Sequence, residues 1–308
     1  MKVKLYDLPA QSLSWYDITM KNIRYLLYGW FYLLIFQSCT SILEYPESKK
    51  VAQVDLLHGI EVEDPYRWLE DFTSEEVGTW VELQNDLSQK YLTKNQYRKR
   101  IKENLESIWV SNSKSIPQIR GGHIFYFFNK GSWQQSKLMK QECDTCLPEV
   151  TIDPNTFSVD GTVSLSNLSI SPNGKFIAYS ISDGGSDWKT WKVLDLETNR
   201  VLEDSIKWTK FSSGNWESDN SGFYYQKYPE PKEVALSEIN RSPKLYFHKI
   251  GTPQEEDLLV YERPDKPNWS WDVQVSEDGQ YRILSVSEGT DDSNRLYIKF
   301  VNDISFTP

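Results

Sequence analysis

Three turns of related wording recur along the second half of the chain: Ser171-Pro172-Asn173-Gly174, Ser218-Asp219-Asn220-Ser221-Gly222 and Ser276-Glu277-Asp278-Gly279. Each precedes an apolar run, namely Phe176-Ile177-Ala178-Tyr179, Phe223-Tyr224-Tyr225 and Tyr281-Arg282-Ile283-Leu284. Turns repeating at roughly 50 residues mark units the length of one four-stranded blade. Each turn supplies the positive-φ residue of a tight hairpin, and each following strand supplies a blade's buried face. The same region opens on the aromatic run His123-Ile124-Phe125-Tyr126-Phe127-Phe128, bounded by Gly121-Gly122 and Asn129-Lys130-Gly131. Helix signals largely vanish from Ser113 onward. The fold class is therefore mainly β, a β-propeller of about four blades over roughly 113–160, 161–205, 206–265 and 266 to the end.

A chain of 308 residues can hold one large or two ordinary domains, so a substantial core is possible. The aromatic fraction of 14% favours strands over disorder. A net charge of -10, with no clustered basic stretch to offset it, argues against nucleic acid as a partner.

Residues 40–112 read as a helical arm ahead of the 113–308 β region. Asp64 can cap a helix whose first position is Pro65, leaving Trp68 and Leu69 in need of a surface. On physics alone this is a short amphipathic surface helix. Thr73 with Glu76 fits a capping box, and Val77, Trp80, Val81, Leu83, Leu87 and Tyr91 follow at helical spacing. A second stripe runs through Tyr97, Ile101, Leu105, Ile108 and Trp109, opposite Arg98, Lys99, Lys102 and Glu103. Two such helices cannot bury their stripes alone.

Residues 1–39 have the layout of a secretory signal. The apolar run Ile23 to Phe36 follows Lys21 and Arg24 and is too short for a comfortable transmembrane helix, which needs about 20 residues. Met20 directly before the basic pair is a candidate true start, and Ser38-Cys39 resembles a lipoprotein cleavage box. Cys39 is then the expected lipid anchor to a membrane, and the expected location is the periplasm or cell envelope. The alternative is a buried or interfacial apolar helix in a cytoplasmic protein.

The wording Tyr45-Pro46, His58-Gly59 and Val62 through Asp71 resembles the opening of the prolyl oligopeptidase family of serine peptidases. Trp80 through Asn85, Asn155 through Val163, Gly185-Ser186-Asp187-Trp188, Lys210-Phe211-Ser212, Gly222 through Tyr225 and Lys244 through His248 with Gly251-Thr252 stand in that family's order. The resemblance implies a seven-bladed propeller, of which this chain carries a part. It further implies that the arm packs on an α/β-hydrolase domain, that the enzyme cleaves short peptides after proline, and that the propeller limits access by size. No cofactor is implied. The Phe of the Lys-Phe-Ser wording lines a distal specificity pocket in the family, which places Phe211 as substrate-binding; burial preference equally allows a blade core aromatic. Two further pocket positions fall on Ser270 and Thr290, where the family usually has larger or softer side chains.

A serine hydrolase of this kind needs a Gly-x-Ser-x-Gly elbow with Asp and His after it, and none is present. Gly184-Gly185-Ser186-Asp187 has the wrong spacing, and His58, His123 and His248 each suit a strand or turn. No catalytic residue is assigned, and the hydrolase domain becomes the expected partner in cis, together with short proline-containing peptides. Cys143-Asp144-Thr145-Cys146 lacks the second pair of a zinc site and the helix of a redox motif, so no metal is expected; it reads as a blade turn, bridged by a disulfide if the protein is exported. Two functions follow: the N-terminal portion of a prolyl oligopeptidase-like endopeptidase, inactive alone, or a non-catalytic envelope lipoprotein whose propeller binds peptides or proteins.

Overall fold

Every aromatic run singled out above is a strand in the computed structural model, which describes residues 43–231, 240–303 and 305–307. The chain divides into two units between Glu103 and Asn104.

In the first unit, β1 (Val54–Leu57) and β2 (Ile60–Glu63) form a hairpin closed by His58 and Gly59, both at positive φ (54° and 82°) as a two-residue turn requires. Asp64 does not cap a helix. Its carboxylate accepts from the Tyr66 N–H (3.3 Å) and from Arg67 Nε (2.6 Å), and the chain makes only a 3-10 turn over Arg67–Glu70. The capping box is likewise absent: Thr73 donates its hydroxyl to Asp71 (2.8 Å), Ser74 occupies the N-cap without a side-chain bond, and Glu76 pairs with Lys49. Local side-chain bonds satisfied the chain one turn early, the usual competitor of a helix start. Helix α1 (Glu75–Thr93) buries only Val77, while Trp68 and Trp80 meet edge to face at 6.4 Å, each half-buried. Helix α2 (Arg98–Trp109), which runs across the division between the units, leaves its predicted stripe exposed, from 52% at Ile101 to 77% at Trp109, as is Tyr97 just before it.

The strands of the second unit hydrogen-bond into antiparallel sheets of five, eight and three strands, and they read as four blades because a single pair, Thr209 with Lys227, joins the second blade to the third within the eight-stranded sheet. The first contains β3 (Ser113–Lys114) and β4 (Gln118–Arg120), two halves of one strand interrupted at Ile116-Pro117, then β5 (His123–Asn129), β6 (Lys137–Gln141) and β7 (Glu149–Ile152). The second contains β8 (Val163–Ile170), β9 (Phe176–Asp183), β10 (Lys189–Asp195) and β11 (Arg200–Thr209). The third has β12 (Asn215–Trp216), β13 (Gly222–Lys227), β14 (Lys244–Lys249) and β15 (Leu258–Tyr261). The fourth has β16 (Trp269–Val275), β17 (Tyr281–Glu288) and β18 (Arg295–Phe300), with Thr307 bridged to Ile298 where an outer strand would run.

Alternating side chains of neighbouring blades form three successive cores. Phe125, Leu138 and Ile152 meet Ile170, Ile177, Tyr179 and Leu194; Trp191, Val193 and Ile206 meet Trp216, Phe223 and Tyr225; Leu245 meets Trp269, Trp271, Val273, Leu284 and Val286. The recurring turns nest against one another at one end of the blades. The Asn173 N–H donates to the Asn220 side chain (2.9 Å), and a Cβ on Gly121, at φ 54°, would lie 2.0 Å from the Asn173 carbonyl oxygen. The repeat in sequence thus becomes a chain of contacts between blades. On the fourth blade the face opposite the third core is apolar and exposed at Leu296, Ile298 and Phe300.

Candidate functional site

The first strands of all four blades end around one cavity of about 510 Å³, lined by Ile119, Arg120, Ser169, Asn215, Gln274 and Glu277 among others. Its walls come from different blades because each blade enters by the same strand and turns back at the same recurring turn. Asn215 donates to Asp272 across the third and fourth blades (3.1 Å), and burial pushes the Asp272 carboxyl up. The lining is mixed, with Arg120 and Glu277 as its charged groups, and none of the three histidines reaches it.

The crossing from the second blade to the third is the segment Lys210 to Gly214. Phe211 stands here at φ 48° and 61% exposed, outside all three cores, between Lys210 and Ser212, which are both buried. Beside it the Trp188 and Trp208 rings meet edge to face at 5.6 Å, and the Lys210 ammonium sits 3.7 Å from the Trp188 ring centre, donating to Asn240 (2.5 Å). Burial holds that ammonium below the ordinary lysine value, against a raising effect of Asp187. Gly214, at φ 64°, admits the Trp191 ring where a Cβ would lie 2.5 Å from it. Ser270 is half-buried on β16, and Thr290 is exposed after β17. Cys39, the proposed lipid anchor, lies outside the described residues, as does Met20. A left-handed, exposed phenylalanine carries a conformational cost without burial to offset it, so Phe211→Gly is expected to raise the melting temperature by about 2–4 °C, checked by a thermal scan.

The three histidines do different work. His58 is in the exposed hairpin turn, and His123 on β5 pairs with Glu142 at 2.8 Å. His248 is fully buried with both ring nitrogens on carboxylates: Nε2 to Asp204 (2.8 Å) and Nδ1 to Asp257 (2.7 Å). Asp204 also accepts the Gly251 N–H (2.7 Å), and Asp257 accepts the Tyr225 hydroxyl (2.6 Å). Burial opposes charge on the ring, yet the two carboxylates outweigh it and raise His248 to about 9. Burial opposes ionisation of Asp204 too, and the bonds from His248 and Gly251 outweigh it, holding that carboxyl low. With both nitrogens so engaged, His248 cannot serve a serine. No linear spacing announces this trio; the only sequence signal is polar residues set inside apolar runs at Asp204 and His248.

A second buried pair joins the third and fourth blades. Arg282 grips Glu217 through Nη2 (2.5 Å) and Nε (3.1 Å), and Glu217 also accepts from the Tyr224 hydroxyl (2.8 Å) and the Ser218 N–H (2.9 Å). Burial opposes ionisation of Glu217, but the guanidinium and the other donors outweigh it and hold the carboxyl low. In the first blade Cys143 and Cys146 are joined by a disulfide across the β6–β7 turn.

A prolyl endopeptidase of Elizabethkingia meningoseptica is 38% identical over 271 residues, which cover 87% of this chain and 38% of that protein. The dual function macrocyclase-peptidase POPB of Galerina marginata is 32% identical over 281 residues, covering 82% of this chain and 38% of that one. Among solved structures, a prolyl endopeptidase studied for inter-domain dynamics in catalysis and specificity superposes with a TM-score of 0.78 at 30% identity, over 86% of this chain and 39% of its own. Prolyl oligopeptidase B of Galerina marginata, bound to a 35mer hydrolysis and macrocyclization substrate, gives 0.71 at 30% identity, over 86% and 40%. The chain therefore spans about two fifths of the length of these relatives. The description of the prolyl oligopeptidase N-terminal beta-propeller domain matches residues 45–305, and because that match runs through both the arm and all four blades, the chain belongs to the prolyl oligopeptidase family.

Proposed function

We propose that this chain is the arm and partial propeller of a serine endopeptidase that cleaves short peptides after proline, with the propeller filtering substrates by size. The continuous family match across arm and blades carries the reading. The exposed α2 stripe supports it, as a surface suited to an α/β-hydrolase domain that would supply nucleophile, base and oxyanion donors in cis. Phe211 would form one wall of a distal pocket for the peptide. Among the described residues no serine, threonine or cysteine side chain bonds to a histidine. The purified chain is accordingly expected to leave a chromogenic Gly-Pro substrate intact, and turnover abolished by a serine-reactive inhibitor would overturn that expectation.

Export to the envelope with a lipid on Cys39 belongs to the same proposal and rests on the signal-like run before it. The expressed chain should partition into detergent, and Cys39→Ser should move it to the aqueous phase; partition unaffected by that change would count against the anchor.

A further inference from the structure

The backbone at Phe211 is left-handed, a conformation that a residue with a large side chain keeps only when its surroundings impose it. The side chain is exposed, so it imposes nothing itself. The restraints lie on either side. The Thr209 hydroxyl donates to the Lys189 carbonyl (2.9 Å), Lys210 is held over Trp188, and the Ser212 hydroxyl accepts the Gln226 N–H (2.9 Å).

Gln226, on β13 and 1% exposed, donates the last of these through its backbone N–H. Its side-chain Nε2 donates to the Tyr228 hydroxyl (3.0 Å) and reaches the Lys210 carbonyl (3.5 Å), so the side chain meets the residue before Phe211 and the backbone N–H meets the residue after it. Its Oε1 accepts the backbone N–H of Trp271 (2.6 Å), immediately after Ser270 on β16. Both amide hydrogens and the amide oxygen are thus engaged in a buried setting, where an unmet polar group is costly and a satisfied one fixes geometry. A hydrocarbon of similar length would fill the same space for packing alone; the amide adds directional bonds to the Phe211 crossing and to the Ser270 strand at once.

We infer that Gln226 is a positioning residue that sets the left-handed presentation of Phe211 and its register against the start of β16, and thereby the fit of an apolar side chain of a bound peptide against Phe211. This rests on the reading of Phe211 as a pocket wall. Gln226 touches no substrate; its side chain acts through Lys210 and Trp271, while its backbone N–H holds Ser212.

The test uses the full chain with Phe211 replaced by 4-trifluoromethylphenylalanine and followed by 19F NMR, a readout that needs no peptide affinity. One resonance displaced from the free amino acid is expected. In Gln226→Met, folded by near-UV circular dichroism, that resonance should collapse toward the free shift or split. Ser212→Ala, which removes a single bond and should fold in any case, should move it the same way, while Ser212→Thr should restore it. Affinity for a blocked Phe-Gly-Pro tripeptide amide, without the fluorinated residue, should weaken about fivefold in Ser212→Ala, the effect of one hydrogen bond. An unmoved resonance in folded Gln226→Met overturns the positioning role of the Gln226 side chain, even where Ser212→Ala, which loses only the bond to the Gln226 backbone N–H, moves it. Should Phe211→Ala bind the tripeptide as the parent chain does, the pocket-wall reading fails, whereas a resonance that still moves sustains the positioning of Phe211 by Gln226.

Discussion

Replacing His248 with leucine is expected to cost about 3–5 kcal/mol of folding stability at pH 7, measured by urea denaturation, because it strands two buried carboxylates without their shared cation. The cost should shrink as pH falls, where Asp204, no longer held low by the imidazolium, can take up a proton instead. The parent chain should show the complementary profile. His248 titrates at about 9 when folded against an ordinary 6.5, so its contribution is complete below 6.5 and is lost as pH rises through about 9. Over that window it is worth on the order of 3 kcal/mol. Asp204, held below its ordinary value, contributes above 3.8 and loses that contribution as pH falls through its lowered value. Stability should therefore plateau between the carboxylate range and 6.5 and decline toward pH 9.5. A parent chain equally stable at pH 6 and pH 9.5 would refute the doubly bonded imidazolium.

The second large effect belongs to Arg282. Arg282→Met should lose about 3–5 kcal/mol, because Glu217 would remain ionised and nearly covered with only hydroxyl and amide donors. The pair ties the turn of the third blade to the middle strand of the fourth, so the loss should appear with early loosening of the fourth blade in hydrogen exchange. The double change Glu217→Met with Arg282→Met should recover most of the loss, since a buried pair exchanged for matched apolar groups is often neutral or stabilising. Additive losses in the double variant would mean that packing around the aliphatic stems, and not the ion pair, held the blades.

How far these features were legible beforehand depended on the distance over which they act. The stripe at Val77, Trp80 and Leu83 gave α1 because helical periodicity is a property of adjacent turns. The aromatic run at His123 gave β5, and the Ser-to-Gly turns gave the hairpins of the second, third and fourth blades. The failures were local as well. Asp64 and Thr73 were read as caps, but Arg67 and Asp71 offered each a nearer partner. Equivalent hydrogen-bond partners within three residues compete, and sequence spacing does not rank them.

The site was legible only as a position. The Lys-Phe-Ser wording singled out Phe211 by resemblance, yet nothing in those three letters conveys a left-handed backbone or an exposed ring. On the positioning inferred above, the backbone conformation follows from Gln226, 15 residues further along, whose amide reaches Lys210 and is itself held by Trp271, 60 residues further along on another strand.

By itself, the sequence determined the alternation, the turns and their period, and hence a row of four blades behind a helical arm, because these depend on neighbours in the chain. Only the tertiary structure decided which polar groups share a buried space: Asp204 with His248 and Asp257, Glu217 with Arg282, Gln226 with the crossing beneath Phe211. These partners stand on different strands or blades, and strand pairing and blade stacking set their separations. In that dry interior a charge or amide gains its worth from partners that the linear order leaves far away.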